Sequence, residues 1–177
     1  MALNFADSSN FTPNMRWMAS TSSWQRSGEN GPEIITWSEA VFDLERIKTG
    51  WLKFEPGIAP EFQWDPSLQK AAPKPTDGGE WKRGFAIKAF GESLDGLREW
   101  ATNSKGAVIG LDKLHDLYLE GRDTNPAKLP VVKFEGAKPL KLGQGHTSVP
   151  IFTISKWVDR PAEMSDGGSD ASASEFG

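Results

Sequence analysis

The stretch Trp81-Lys82-Arg83-Gly84-Phe85-Ala86-Ile87-Lys88-Ala89-Phe90-Gly91 has the clearest alternation of side chains in the sequence. Successive side chains on a β-strand point to opposite faces of the sheet. Phe85, Ile87 and Ala89 therefore share one face, which we expect to be the core. The other face combines two cations and an aromatic ring. That combination suits either a polyanion whose bases can stack or ordinary solvent, because exposed apolar residues are common.

A second predicted strand, at residues 48–55, combines the same residue types. Trp51 and Lys53 point to one of its faces, while Leu52 and Phe54 point to the other. A further strand, rich in β-forming residues, is predicted just before it at residues 34–42. We therefore expect the strands at 48–55 and 81–91 to bury one apolar face. Their rings and cations should then point outward along one shared groove.

The segment between these two strands is predicted to lack regular structure. Residues 56–80 contain five prolines, and each proline removes a backbone N–H donor. A connection of this length is usually functional or disordered. Its Lys70 and Lys74 would suit a flap that closes on phosphates.

Beyond Gly91 the apolar residues recur with helical spacing. Residues 93–104 read as an interrupted helical segment, and residues 105–120 as an amphipathic helix. Strands are predicted at residues 130–136 and 149–158. The order β-β-β-α-β-β predicts a mainly β fold with one or two helices, arranged as a five-stranded OB-type barrel. The alternative is a small mixed α+β sheet with the helix on one face.

Length and composition favour a single domain without metal or disulfide chemistry. The 177 residues include eight Trp and ten Phe but no Cys and only two His. These counts exclude disulfides and argue against a zinc or haem site. The sequence contains no run of about 18 apolar residues, and its first residues lack the basic start and apolar block of a signal peptide. We expect an intracellular protein.

The formal charge of −4 is concentrated at the C-terminal end. From Asp159 onward five acids oppose one base, Arg160, which accounts for the whole excess and leaves the rest of the chain neutral. We expect residues 1–31 to form a flexible arm, residues 32–160 the folded domain, and residues 161–177 a disordered acidic tail. A functional tail would dock on partner proteins or occupy the protein's own basic groove. The alternative is a solubilising segment or a cloning remnant without a binding role.

Sequence motifs of catalysis are missing. The chain has no phosphate loop of the GxxxxGK[ST] type, and Gly143-Gln144-Gly145 is better explained as a hairpin turn. It has no Gly-x-Ser-x-Gly motif and no Cys nucleophile. His115 is predicted to be a rim residue of the helix. We expect a protein that is not an enzyme and needs no cofactor.

Two segments resemble a known family: Ile47-Lys48-Thr49-Gly50-Trp51-Leu52-Lys53-Phe54 and Pro150-Ile151-Phe152-Thr153-Ile154-Ser155-Lys156-Trp157-Val158-Asp159-Arg160-Pro161. With the predicted order of elements and the acidic tail, the chain resembles bacteriophage-type single-stranded DNA-binding proteins of the OB-fold group. The resemblance covers roughly residues 33–158 and the tail. It implies a protein that coats single strands, without sequence preference, during phage or plasmid DNA replication and recombination in the cytoplasm of a bacterial host.

The family's functional residues can be placed on this sequence. Base stacking would fall on Trp51, Phe90, Trp81 and Trp157. Phosphate contacts would fall on Lys53, Lys82, Arg83, Lys88 and Lys156. Recruitment of replication or recombination proteins would fall on Asp166, Asp170, Glu175 and Phe176 of the tail. The chain departs from the family pattern where Gly177 follows Phe176, which separates the aromatic ring from the terminal carboxylate.

A rival interpretation places the protein in another class. A non-enzymatic structural or adaptor protein, such as a virion component, would use exposed aromatic residues as a subunit interface. The two interpretations differ in the expected assembly, since a coat or virion subunit forms large fixed assemblies without DNA. The oligomeric state is left open, with a homodimer among the options, and no membrane partner is expected.

Overall fold

Ten β-strands and one α-helix form the main regular structure of the computed structural model, which describes residues 12–165. The strands are β1 (Arg16–Met18), β2 (Ser23–Gly28), β3 (Gly31–Ile35), β4 (Glu39–Phe42), β5 (Lys48–Glu55), β6 (Ile58–Trp64), β7 (Lys82–Gly91), β8 (Gly96–Thr102), β9 (Lys128–Leu142) and β10 (Gly145–Asp159). The helix α1 spans Lys105–Arg122, and short 3-10 turns lie at Leu44–Arg46, Glu92–Leu94 and Ala162–Met164. The tail residues nominated for partner binding, Asp166, Asp170, Glu175 and Phe176, lie outside the described residues.

The large sheet is arranged around β7. One edge of β7 pairs with β8, and its opposite edge pairs with β5 and then β4. The strand order is β10-β9-β4-β7-β5-β6, with β8 beside β7, and every pairing is antiparallel. These findings confirm a mainly β fold with a helix. The sheet does not close into a barrel, because β8 and β10 do not pair, so the predicted five-stranded OB-type barrel is not confirmed.

The N-terminal residues fill the opening between β8 and β10. A flexible arm was predicted up to residue 31, but β1, β2 and β3 form a small antiparallel sheet over this region. Just before it, the Met15 N–H donates to the Glu99 carbonyl of β8 at 2.9 Å. The Trp17 indole N–H donates to the Ser148 carbonyl of β10 at 3.0 Å. The segment therefore bonds to both strands that border the opening, which corrects the predicted arm for residues 12–31.

A cluster of aromatic rings forms the centre of the core, with Trp24 of β2 in the middle. Five rings lie within 6.3 Å of the Trp24 ring, between centroids: Trp17, Trp37, Trp100, Phe134 and Phe152. The indole N–H groups of Trp24, Trp37 and Trp100 are buried without a hydrogen-bond partner among residues 12–165. Buried apolar area and edge-to-face ring contacts must therefore supply the stability of this cluster.

Strand β6 lies within the segment that was predicted to lack regular structure, and its edge position explains why a proline is tolerated there. The Asp65 N–H donates to the Thr49 carbonyl of β5 at 2.9 Å. The register between β5 and β6 shifts between Glu61 and Ile58, so Pro60 lies at an irregularity of an edge strand. Proline is tolerated at bulges and on edge strands, where its missing N–H disturbs the regular pairing least.

Strand β8 replaces the interrupted helical segment predicted at residues 93–104, whereas the helix predicted at 105–120 is confirmed. Seven residues of β8 pair with β7, and Trp100 is fully buried opposite Ile87. Asp95 and Gly96 adopt positive φ values, which turn the chain tightly back from β7. Pairing with β7 and burial of Trp100 outweigh the weak local preference for a helix.

Helix α1 packs closely against β10 because two glycines leave room for the strand. A side chain added at Gly106 would overlap the Ser148 carbonyl. A Cβ atom at Gly110 would lie 2.6 Å from the Pro150 carbonyl oxygen and 2.9 Å from its ring. The contacted oxygens belong to the backbone of β10 and cannot move aside cheaply.

We expect Gly110→Ala to destabilise the protein. Because the contacted atom is a backbone oxygen, the overlap should cost about 3 kcal/mol, the upper end for added volume in a packed site, whereas the better helix propensity of alanine should return about 1 kcal/mol. Urea unfolding should therefore give a lower free energy of unfolding for this variant. Glu120→Ala, at an exposed position of the same helix, is the control and should stay within about 0.5 kcal/mol of the wild type. An unchanged or increased stability of Gly110→Ala would contradict the close packing.

Candidate functional site

The residues predicted to share one groove lie on two opposite faces of the sheet. We call the face that carries Phe85, Ile87 and Ala89 the inner face, and the opposite one the outer face. Trp51 of β5 pairs directly with Arg83 of β7, and directly paired residues share a face. The four residues Trp51, Lys53, Trp81 and Arg83 therefore lie together at one end of the inner face. Lys82, Lys88 and Phe90 lie on the outer face, so the predicted shared groove is wrong.

The inner-face residues are already bonded to residues 65–80, which we call the strap. Asp65 of the strap has an almost fully buried side chain and accepts two hydrogen bonds from Arg83. It also accepts hydrogen bonds from the Thr49 hydroxyl at 2.7 Å and the Ala72 N–H at 2.8 Å. These donors, the Arg83 guanidinium first among them, hold the pKa of Asp65 well below its usual range.

Both indoles at this end are held by the strap as well. The Trp51 N–H donates to the Ala72 carbonyl at 2.8 Å, and Arg83 and Lys74 lie against its ring. The Trp81 ring is buried, and its N–H donates to the Asp77 carboxylate at 2.7 Å. Lys53 lies over the Trp81 ring at 5.2 Å, with the Asp77 and Glu61 carboxylates within 4 Å. This group therefore fixes the strap, and its cations already face carboxylates.

The two nominated residues of β10 lie away from both groups. Trp157 stacks on Tyr118 of α1, with 5.8 Å between ring centroids and 29° between the planes. It thus packs the end of the helix onto the sheet. Lys156 is exposed on β10, a strand separated from β7 by β9 and β4.

The outer face carries a cluster of exposed rings that we call the aromatic platform, formed by Phe54, Phe62 and Trp64. Phe62 and Trp64 stack almost in parallel, with centroids 5.1 Å apart and planes 10° apart. Phe54 meets Phe62 edge to face at 6.2 Å. Phe54 and Phe62 remain 39% and 42% exposed. Lys48 completes the cluster, with its ammonium group 4.8 Å from the Trp64 ring centroid.

Sequence reasoning missed the platform as a site because residues 56–80 were not expected to form a strand. A signal was nevertheless present. Phe62 and Trp64 are two residues apart, and Pro56-Gly57 before them is a typical turn, so a hairpin with β5 would place both rings beside Phe54. The alternation of side chains therefore predicts this strand, provided that the prolines are placed on an edge strand.

Cations without a carboxylate partner flank the platform on the outer face. Lys82 lies in the cross-strand row that contains Leu52 and Phe62. Lys88 lies further along β7, next to Phe90. Neither lysine forms an ion pair with any residue between 12 and 165. The outer face therefore combines accessible rings with two lysines that form no ion pair, while Glu99 of β8 lies directly opposite Lys88.

The C-terminal end of the described chain lies against β7, close to Lys48 and Lys88. Arg160 donates hydrogen bonds to the carboxylates of Asp43 and Glu45, and these bonds raise its pKa. Beyond it, Met164 is buried and lines one concavity together with Lys48 and Lys88. The ion pairs of Arg160 thus fix the position of the last described residues.

Comparisons with known proteins identify no relative. No family model matches the sequence, and no curated protein or solved structure gives a significant match. Within residues 12–165, no helix is long and apolar enough to cross a bilayer. The same residues include no group of three or more His, Asp or Glu side chains that could hold a metal ion.

We expect Asp65→Asn to destabilise the protein in a pH-dependent way. The folded-state pKa of Asp65 is depressed, so its carboxylate stabilises the fold above the ordinary pKa of about 4, and this stabilisation is lost as the pH falls below that value. At about pH 7 the variant should lose roughly 1 to 3 kcal/mol of unfolding free energy, because Arg83 loses its charged partner. The difference from the wild type should shrink toward about pH 3.

Urea unfolding of both proteins across this pH range measures the difference. Asp116→Asn, at an exposed position of α1, is the matched control and should show neither effect. A gap between Asp65→Asn and the wild type that stays constant with pH would contradict the assigned role of the carboxylate.

Proposed function

We propose that the protein binds single-stranded DNA without sequence preference, on the outer face of β5, β6 and β7. The observation that carries this proposal is the aromatic platform, three partly exposed rings with unpaired lysines beside them on one face. Three residues nominated from the sequence, Lys82, Lys88 and Phe90, belong to this surface. Trp51, Lys53 and Trp81 are excluded from direct contact in the proposal, because their bonds to the strap hold them in place.

The physical properties of the surface suit a single strand better than a duplex. Unpaired bases can stack on exposed aromatic rings, and this stacking contributes roughly 1 to 3 kcal/mol per base whatever the base. Lysine ammonium groups bind backbone phosphates in a salt-dependent way and release counterions. Neither interaction requires catalytic groups, in keeping with a protein that protects single strands in phage or plasmid DNA replication and recombination.

The connectivity supports an OB-type origin for the fold. We count β4 and β5 together as the first strand of an OB fold. The strands β7 and β8, the helix α1 and the strands β9 and β10 then follow in the order β-β-β-α-β-β of that fold. OB folds are partly open barrels that bind oligonucleotides on the face of their second and third strands. In this chain that face is the outer face of β7 and β8. We propose an OB-type sheet whose opening is filled by the N-terminal segment.

The acidic tail has a place in this proposal. Its acids and its single aromatic ring, at Asp166, Asp170, Glu175 and Phe176, would recruit replication or recombination proteins. The last described residue is Ser165, next to Met164, which lines a concavity with Lys48 and Lys88. A partner bound to the tail would therefore be held close to the bound strand.

A second candidate function is a subunit interface of a structural or adaptor protein. The observation in its favour is that β6 ends the large sheet, with Ile58 55% exposed and Phe62 beside the free edge. Unpaired edge strands can pair with another chain. Light scattering after size-exclusion chromatography separates the candidates. A monomer or dimer without DNA agrees with the DNA-binding proposal, whereas a large fixed assembly favours the structural role.

We expect Phe62→Ala to weaken binding of oligo-dT. Loss of one stacking ring should raise the dissociation constant by at least about fivefold, as expected for about 1 kcal/mol or more. Titrations at low salt, followed by quenching of tryptophan fluorescence, measure this change, and the variant retains all eight tryptophans. Ile34→Ala is the matched control, since Ile34 is 70% exposed on β3, away from the platform. Absence of binding by the wild type, or equal binding by Phe62→Ala, would overturn the proposal.

A further inference from the structure

A basic concavity lies at the start of α1, next to the platform. It has a volume of about 510 Å³ and is lined by Lys82, Arg83, Asn103, Lys105, Val108 and Leu142. These lining residues include three cations and no acid. The sequence nominated Lys82 and Arg83 for phosphate contacts but gave no reason to place Lys105 and Asn103 beside them.

The net charge of this concavity comes from its two lysines. The Asp65 carboxylate pairs with the Arg83 guanidinium, so Arg83 adds hydrogen-bond donors rather than net charge. Lys82 and Lys105 are both exposed, and neither forms an ion pair with any residue that the structure describes. Two unpaired ammonium groups around one concavity attract an anion.

The N-terminus of the helix adds to this attraction. Lys105 is the first residue of α1, which has 18 residues. Ser104 occupies the N-cap position, but its side chain makes no capping hydrogen bond, and its hydroxyl is buried without a partner among the described residues. The positive end of the helix dipole is therefore not offset by a cap.

The concavity is also placed along the path that a bound strand would take. Lys82 lines the concavity. It also lies on the outer face, in the same cross-strand row as Phe62 of the platform. Two strand spacings separate these residues, a distance of about 10 Å. A strand that stacks its bases on Phe62 and Trp64 can thus bring a nearby phosphate to Lys82 and Lys105.

We propose that this concavity is a phosphate pocket, which binds a backbone phosphodiester of the single strand stacked on the platform. The proposal rests on the proposed function and adds a second contact point to it. Lys82 and Lys105 supply the charge, the first turn of α1 supplies further positive potential, and Arg83 supplies hydrogen-bond donors. Val108 and Leu142 are its apolar lining residues.

Titration of oligo-dT at several salt concentrations tests the pocket. Lys105→Gln and Lys82→Gln should each weaken binding at low salt and reduce the slope of log K against log salt by roughly 0.7, the value for one phosphate contact on a single strand. Lys113→Gln is the matched control, because Lys113 is exposed on the same helix but does not line the pocket. It should leave both the affinity and the slope unchanged.

The outcomes separate failure of the pocket from failure of the proposed function. Suppose that the wild type binds oligo-dT and that Phe62→Ala weakens this binding. If Lys105→Gln and Lys82→Gln then behave like Lys113→Gln, the pocket alone is refuted. If the wild type does not bind oligo-dT at low salt, both proposals fail. Oligomers with a 5′-phosphate and with a 5′-hydroxyl should respond equally to Lys105→Gln. An effect confined to the phosphorylated oligomer would overturn the assignment to a backbone phosphodiester.

Discussion

The packing of Trp24 against five other aromatic rings is the interaction on which the rest of the structure depends. The large sheet is open between β8 and β10, and an open sheet of this kind would expose its apolar inner face to water. Trp17 and Trp24 carry the N-terminal segment into this opening, and backbone bonds to Glu99 and an indole bond to Ser148 join it to both borders. Burial of these indoles thus completes a core that the large sheet cannot enclose alone.

Closure of the inner face decides which surface is left for the proposed binding. With the core, the helix and the strap on one side of the sheet, the outer face of β5, β6 and β7 is the place where Phe54, Phe62 and Trp64 lie together near lysines without an ion pair. The cations of the inner face are neutralised by Asp65, Asp77 and Glu61. Aromatic and basic residues are therefore divided between a structural group under the strap and an accessible group on the platform.

The sequence predicted individual elements better than the way they combine. Alternation identified the strand at Lys82–Gly91 and its buried face, and helical spacing identified α1. The relative orientation of β5 and β7 could not be predicted in this way, because alternation within a strand does not say which of its faces matches that of a neighbour. The register between β5 and β7 is fixed by their pairing in the fold, which sets Trp51 opposite Arg83. It places Trp51 and Lys53 on the inner face and leaves Lys88 and Phe90 on the outer face.

Other errors have different physical causes. The segment around Trp17 and Trp24 is rich in serine and glycine, and its strands depend on distant contacts to β8 and β10 that local composition cannot reveal. Pro60 appeared to exclude a strand, although proline is tolerated on an edge strand and at a shift in register, where Pro60 lies. The ion pair between Asp65 and Arg83 joins residues 18 positions apart across the strap, so the neutralisation of Arg83 could not be inferred from its sequence neighbours.

The indole N–H resonances of the eight tryptophans provide the most direct test of binding on the outer face. In a ¹H–¹⁵N spectrum recorded with increasing oligo-dT, we expect the indole resonance of Trp64, on the platform, to shift progressively. The indole resonances of Trp51 and Trp81, bonded to the strap at Ala72 and Asp77, should remain in place. Shifts of Trp51 and Trp81 with an unchanged Trp64, or no shifts at saturating oligo-dT, would contradict binding on this face.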